Sequence, residues 1–83
     1  MYYIYILKSR KDNSIYTGFS KNLKQRFKSH NQGSSGYTKN KAPFDLIYYE
    51  AYKSKKDARK REKFLKSGRG RKVIKKQIKN SLM

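Results

Sequence analysis

Eighty-three residues carry 23 Lys and Arg against five acids, a formal net charge of +18. That length holds one domain, and that charge strains a compact state unless a polyanion neutralises it, so nucleic acid is the first partner to expect. With no cysteine, disulfide staples and thiolate zinc sites are excluded and a reducing compartment is suited.

Leu, Ile, Val and Phe supply only 16 of the 83 residues, so the eight tyrosines must furnish much of a small core. Tyr2 to Lys8 is aromatic and β-branched and predicts a strand. Its apolar run, Tyr2 to Leu7, is far shorter than the roughly 20 residues of a membrane helix. It also lacks the basic leader and cleavage site of a signal peptide. No membrane association and a soluble, cytoplasmic protein are the expectations. Ser14 to Phe19 predicts a second strand, joined to the first through the polar stretch Ser9 to Asn13. By parity, Tyr3, Tyr5 and Leu7 share one face of the first strand, and Tyr16 and Gly18 share one face of the second.

Asn22 with Gln25 forms a capping-box pair, and Leu23, Arg26, Phe27 and His30 recur at helical spacing. Gly33 is placed to stop that helix, and Gly33 to Pro43 is loop-like. Asp45 to Ala51 is a short apolar run that predicts a third strand, buried on both faces. Ser54 caps a helix bearing Ala58, Arg61, Glu62 and Leu65. Ser67-Gly68-Arg69-Gly70 is expected to break it, with the glycines as helix punctuation. A last helix is expected from about Arg71 to Asn80, with Val73, Ile74 and Ile78 on one side. The order strand, strand, helix, strand, helix, helix predicts a single α+β domain over residues 1–83, built on a three-stranded, mainly antiparallel sheet.

Glu62 lies about 40° from Ala58 on the helical wheel and Leu65 about 20° to the other side. A carboxylate therefore borders the apolar stripe, where it needs a cation or a metal. Residues 53 to 79 hold fourteen Lys and Arg against two acids while keeping helical periodicity, the pattern of a basic surface on folded helices.

Tyr3-Ile4-Tyr5, then Tyr16-Thr17-Gly18, then Ser20 to Leu23 with Arg26 and His30, then Arg61-Glu62 form an ordered set. Over about residues 3–66 the chain resembles the GIY-YIG nuclease domain, in its small stand-alone form. The resemblance implies metal-dependent hydrolysis of phosphodiester bonds. Tyr16 would be the general base, with Tyr5 orienting it and His30 sharing proton transfer. Arg26 would contact the phosphate and Glu62 would hold Mg²⁺ or Mn²⁺. A free phenol has a pKa near 10 and needs nearby cations to act as a base at neutral pH. One carboxylate suffices for Mg²⁺, which keeps most of its waters. Tyr3 stands where the family's name has its first Gly, Thr17 where the second motif has Ile, and Phe19 where some relatives carry a lysine that could help depress the tyrosine pKa, so this chain uses another cation or does without one.

The predictions that follow are an endonuclease acting on DNA ahead of RNA, in repair or recombination. Lys21, Lys66, Arg69, Arg71, Lys72, Lys75 and Lys76 would contact the backbone, and a partner protein or a transient dimer would help in targeting. Each residue also has a plainer reading. The tyrosines serve as strand packing, Arg26 and His30 as a solvated helix face, and Glu62 as a salt-bridge partner of Arg59 or Lys66. The alternative function is a non-catalytic basic DNA- or RNA-binding module on a decayed nuclease fold. Glu50 is a rival carboxylate at a strand end.

Overall fold

Ile4, Tyr5, Ile6 and Leu7 are all fully buried, which only a central strand covered on both faces allows. They belong to β1 (Tyr2–Ser9), which lies between β2 (Ile15–Ser20) and β3 (Phe44–Tyr52) in an antiparallel sheet of order β2-β1-β3. The computed structural model describes residues 1–33, 38 and 40–83. The predicted loop from Gly33 to Pro43 thus lies partly outside the described residues. Three helices complete the predicted β-β-α-β-α-α order: α1 (Leu23–Asn31), α2 (Lys55–Lys66) and α3 (Gly68–Gln77), followed by a 3₁₀ turn at Lys79–Leu82.

Alternation along β1 divides the interior. Ile4 and Ile6 point to a core closed by Ala58 and Leu65 of α2 and by Ile74 and Ile78. Tyr5 and Leu7 point the other way, to Phe44 and to Leu23 and Phe27 of α1. In the β1–β3 ladder Ile6 faces Tyr48 and Leu7 faces Leu46, leaving Ile47 as a bulge that packs into the first core.

Three predictions are corrected. β3 is not buried on both faces: it is an edge strand, and Tyr49 is 55% exposed. An apolar run does not distinguish edge from centre when half of it is tyrosine, whose polar tip reaches water. Ser67-Gly68-Arg69-Gly70 is not a broad break either. Ser67 alone separates the helices, ending α2 and capping α3 by accepting from the Gly70 N–H. Gly70 is a packing glycine, since a Cβ there would lie 1.8 Å from the Phe64 carbonyl oxygen. Third, α3 ends at Gln77, and Val73 is 42% exposed while Ile74 and Ile78 are buried.

The Asn22 cap is made as expected, accepting from the Gln25 N–H, but Gln25 returns its bond to the Asn22 side chain because Ser20 already takes the Asn22 N–H. Gly33 follows α1 with φ 73°, the left-handed stop. No helix among the described residues is long and apolar enough to cross a membrane.

Candidate active site

The β1–β2 register pairs Tyr5 with Gly18 and Leu7 with Tyr16, which puts Tyr5, Tyr16 and Gly18 on the α1 face, as parity predicts. Tyr5 lies flat over Gly18. A Cβ at that position would meet its Cζ and Oη at 2.4 Å. The glycine of Tyr16-Thr17-Gly18 therefore exists to admit the other tyrosine's ring. α1 then delivers His30, whose Nε2 lies 2.8 Å from the Tyr5 hydroxyl and whose Nδ1 lies 2.7 Å from Thr38 Oγ1. The three rings form a triangle, with centroids 5.1 Å apart for Tyr16–His30, 5.7 Å for Tyr5–His30 and 6.4 Å for Tyr5–Tyr16.

Burial pushes the Tyr5 phenol up to about 12, so it holds its proton at neutral pH. Arg26 works against burial through a hydrogen bond and its charge, while Tyr16 and Glu62 add to the rise. Four sequence-predicted residues thus act on one phenol: His30 by contact, Tyr16 and Glu62 by field, Arg26 by both. Burial, then Arg26, lowers the His30 pKa and keeps the imidazole neutral. Each ring nitrogen of His30 therefore has a hydroxyl partner, Nε2 the Tyr5 phenol and Nδ1 the Thr38 side chain. His30 is wholly buried with both nitrogens engaged, which corrects the solvated-face reading and makes it a brace for Tyr5.

Glu62 borders the core as its helical phase predicts, with its side chain 13% exposed. Arg59 Nη1 reaches one oxygen at 3.0 Å and Lys66 Nζ the other at 2.9 Å. Burial would raise its pKa, and these two hydrogen-bonded cations bring it below the usual carboxylate value. The Arg59 guanidinium also stacks on Phe19, 3.7 Å from the ring centroid. α2 thus places a guanidinium directly over Phe19, the residue after Gly18.

Glu50 is excluded as the free carboxylate. It accepts from Tyr48 and Tyr52 at 2.5 Å each and from Nε and Nη2 along one guanidinium edge of Arg61, tying β3 to α2. Among the described residues no group of three His, Asp or Glu side chains is assembled to hold a metal. The donor set is one carboxylate neutralised by two exposed cations. It fits a hard cation only of the kind that keeps its waters and takes phosphate oxygens, as Mg²⁺ does.

Lys21, Lys66, Arg69, Arg71, Lys72, Lys75 and Lys76 are all exposed. Lys66, Arg71 and Lys75 line one cleft with Tyr16, whereas Lys21 lines another, with Tyr3 and Tyr49 on the α1 side. Sequence reasoning missed Thr38. It sits in a polar loop without periodicity, and only its contact with His30 distinguishes it.

All of these residues fall within positions 1–77, which match the model of the GIY-YIG catalytic domain. The chain belongs to that family, whose function is nuclease-like and whose partners are nucleic acids. It is 45% identical over 67 residues to a UPF0213 protein of Clostridium perfringens, covering 80% of this chain and 71% of that one. It is 43% identical over 67 residues to a UPF0213 protein of Staphylococcus haemolyticus, covering 80% of each. The solution NMR structure of a UPF0213 protein from Bacillus halodurans, 35% identical, superposes with a TM-score of 0.55 over 89% of this chain and 82% of that one.

Proposed function

We propose that the protein is a divalent-metal-dependent endonuclease that hydrolyses phosphodiester bonds of DNA in the cytoplasm. The observation that carries this reading is the convergence on Tyr5 of Tyr16, Arg26, His30 and Glu62, five residues in all from two strands and two helices. A core needs no such meeting of a second phenol, a guanidinium and a carboxylate.

In this reading Tyr16, its own proton already released to solvent, takes the proton of the attacking water as the phenolate. Tyr5 keeps its own proton, and with His30 and Thr38 behind it holds the site rigid beside Tyr16. Arg26 presents a planar fork of donors to the nonbridging oxygens as their charge grows. Glu62 would hold Mg²⁺ or Mn²⁺ in exchange for Arg59 and Lys66, and the bound ion would supply charge stabilisation at the phosphate and the departing oxygen. Arg69, Lys72 and Lys76 on α3 would hold the DNA backbone, contacts that carry no sequence information.

A second reading, a non-catalytic binding module, is favoured by one observation: both Glu62 oxygens are already paired to cations. Plasmid nicking with Mg²⁺ and with chelator separates the two, using wild type, Tyr16→Phe and Glu62→Ala purified identically. Losses of about 10²-fold or more are expected for each variant, the scale of a lost acid–base group. Equal nicking by all three proteins would mark a contaminant and remove the assignment. Absence of cleavage with equal DNA binding by all three would establish the binding module.

A further inference from the structure

On the side of the sheet away from α1, a cleft of about 660 Å³ runs between the outer strand β2 and the helices α2 and α3. Its floor is apolar, made by Ile15 with the outer edges of Ile74 and Ile78, over the buried Leu65. Its rim carries Lys66, Arg71 and Lys75. Asn13, Ser14 and Thr17 add polar atoms along the strand side, and Tyr16 borders the cleft from the edge strand, its ring lying on the opposite, α1 face. No acidic residue lines it among the described residues. The volume lies in the roughly 300–1,000 Å³ range of clefts that take small molecules.

An apolar slot with cations at its mouth and hydrogen-bonding groups on one side suits a flat ring tethered to anions. Paired DNA offers the anions but keeps its rings stacked inside the helix. A nucleotide without a partner can offer both, because its base leaves the stack at the least cost. The charge of +18 and the all-cationic rim select a nucleic acid over a peptide as the occupant.

We propose that this cleft receives a single unpaired nucleotide, its base on the Ile15–Ile74–Ile78 floor and its flanking phosphates on Lys66, Arg71 and Lys75. The preferred substrate is then DNA with an extruded or unpaired nucleotide beside the bond presented to Tyr16. Only this placement of the cut rests on the nuclease reading; the binding preference stands independently.

The test is done in chelator, where binding is measured without cleavage. Fluorescence anisotropy compares a fully paired duplex, the same duplex with one bulged 2-aminopurine, and the same duplex with a bulged abasic site. The base-bearing bulge is expected to bind at least tenfold tighter than either of the others, with a blue shift of its emission. Thr17→Trp, which fills the slot with a strand-favouring side chain, is expected to abolish that tenfold preference. The proposal is overturned if the abasic bulge binds as tightly as the base-bearing one, a comparison that needs no variant. It is equally overturned if the preference survives Thr17→Trp in a protein with native circular dichroism. Nicking by the same preparation with Mg²⁺ separates the two ideas: preference without cleavage defeats the nuclease reading alone, and cleavage without preference defeats this one.

Discussion

Tyr5 and Gly18 face each other across β1 and β2 so closely that the phenol occupies the space of a side chain at position 18. Gly18→Ala must therefore displace Tyr5 from His30 or spread the strands. Overpacking of this kind costs about 1–3 kcal/mol, or roughly 4–20 °C in melting temperature for a domain of this size. Nicking should fall with it, because the Tyr5–His30 bond is lost. Thermal melting and a nicking assay on one preparation check both, and a variant with wild-type melting and activity refutes the packing account.

The single histidine gives stability a pH signature. In the unfolded chain its imidazole titrates near 6.5, whereas in the fold burial keeps it neutral to lower pH. The unfolded state therefore binds the proton first. The stability contribution is complete above about pH 6.5 and drains away as pH falls toward the folded value. The depressed carboxylates Asp45, Glu50 and Glu62 give up their own contributions only lower, below about pH 4.5. Melting should be lower at about pH 5.5 than at about pH 7.5, and His30→Gln should flatten that difference.

Glu50 sits under two phenols and a guanidinium, part-buried between β3 and α2. Glu50→Gln keeps the shape but leaves Arg61 without its counter-charge. A charged hydrogen bond contributes about 1.5–3 kcal/mol, and the partial exposure of this pair puts the loss near the lower end. Urea unfolding should show a lower midpoint with an unchanged slope. DNA binding of the folded protein should be unaffected, since Glu50 faces no cleft described above.

In the proposed reading, a metal ion on Glu62 would have to compete with Lys66 for the same oxygen. An exposed ion pair is worth at most about 1 kcal/mol, so Lys66→Gln should tighten Mn²⁺ binding by no more than about fivefold. Electron paramagnetic resonance of free Mn²⁺ measures this without any substrate. Glu62→Gln should abolish the binding. Equal Mn²⁺ affinity in wild type and Glu62→Gln would exclude Glu62 as its ligand.

Lys72, Lys75 and Lys76 lie exposed on α3. On duplex DNA each neutralised phosphate contributes about −0.9 to the slope of log affinity against log salt. Changing all three to Ala should make that slope shallower by about 2 to 3 and weaken binding alike for every sequence. An unchanged slope would remove α3 from the interface.

The element order and the face shared by Tyr5 and Tyr16 were legible in the sequence, because strand parity and helical spacing are local properties. Glu62 was legible for the same reason: its phase beside Ala58 and Leu65 marked a carboxylate at the edge of a core. Thr38 was not, because its contact with His30 is tertiary and no strand or helical period marks it. The role of Gly70 was also hidden, since a glycine admitting another helix's carbonyl reads on paper like one that ends a helix. β3 was misjudged because tyrosine satisfies buried and exposed positions alike, and only the order β2-β1-β3 distinguishes them.

Neighbouring residues of β1 serve opposite sides of the molecule, Ile4 and Ile6 the hydrophobic layer under α2 and α3, Tyr5 the ring cluster under α1. One peptide bond joins each pair, so a methyl group trimmed from either isoleucine is felt by the phenol between them. Natural variation along this strand should accordingly be sparse even at positions that never meet a nucleotide, and directed evolution of a hardier or faster variant would do best to begin elsewhere.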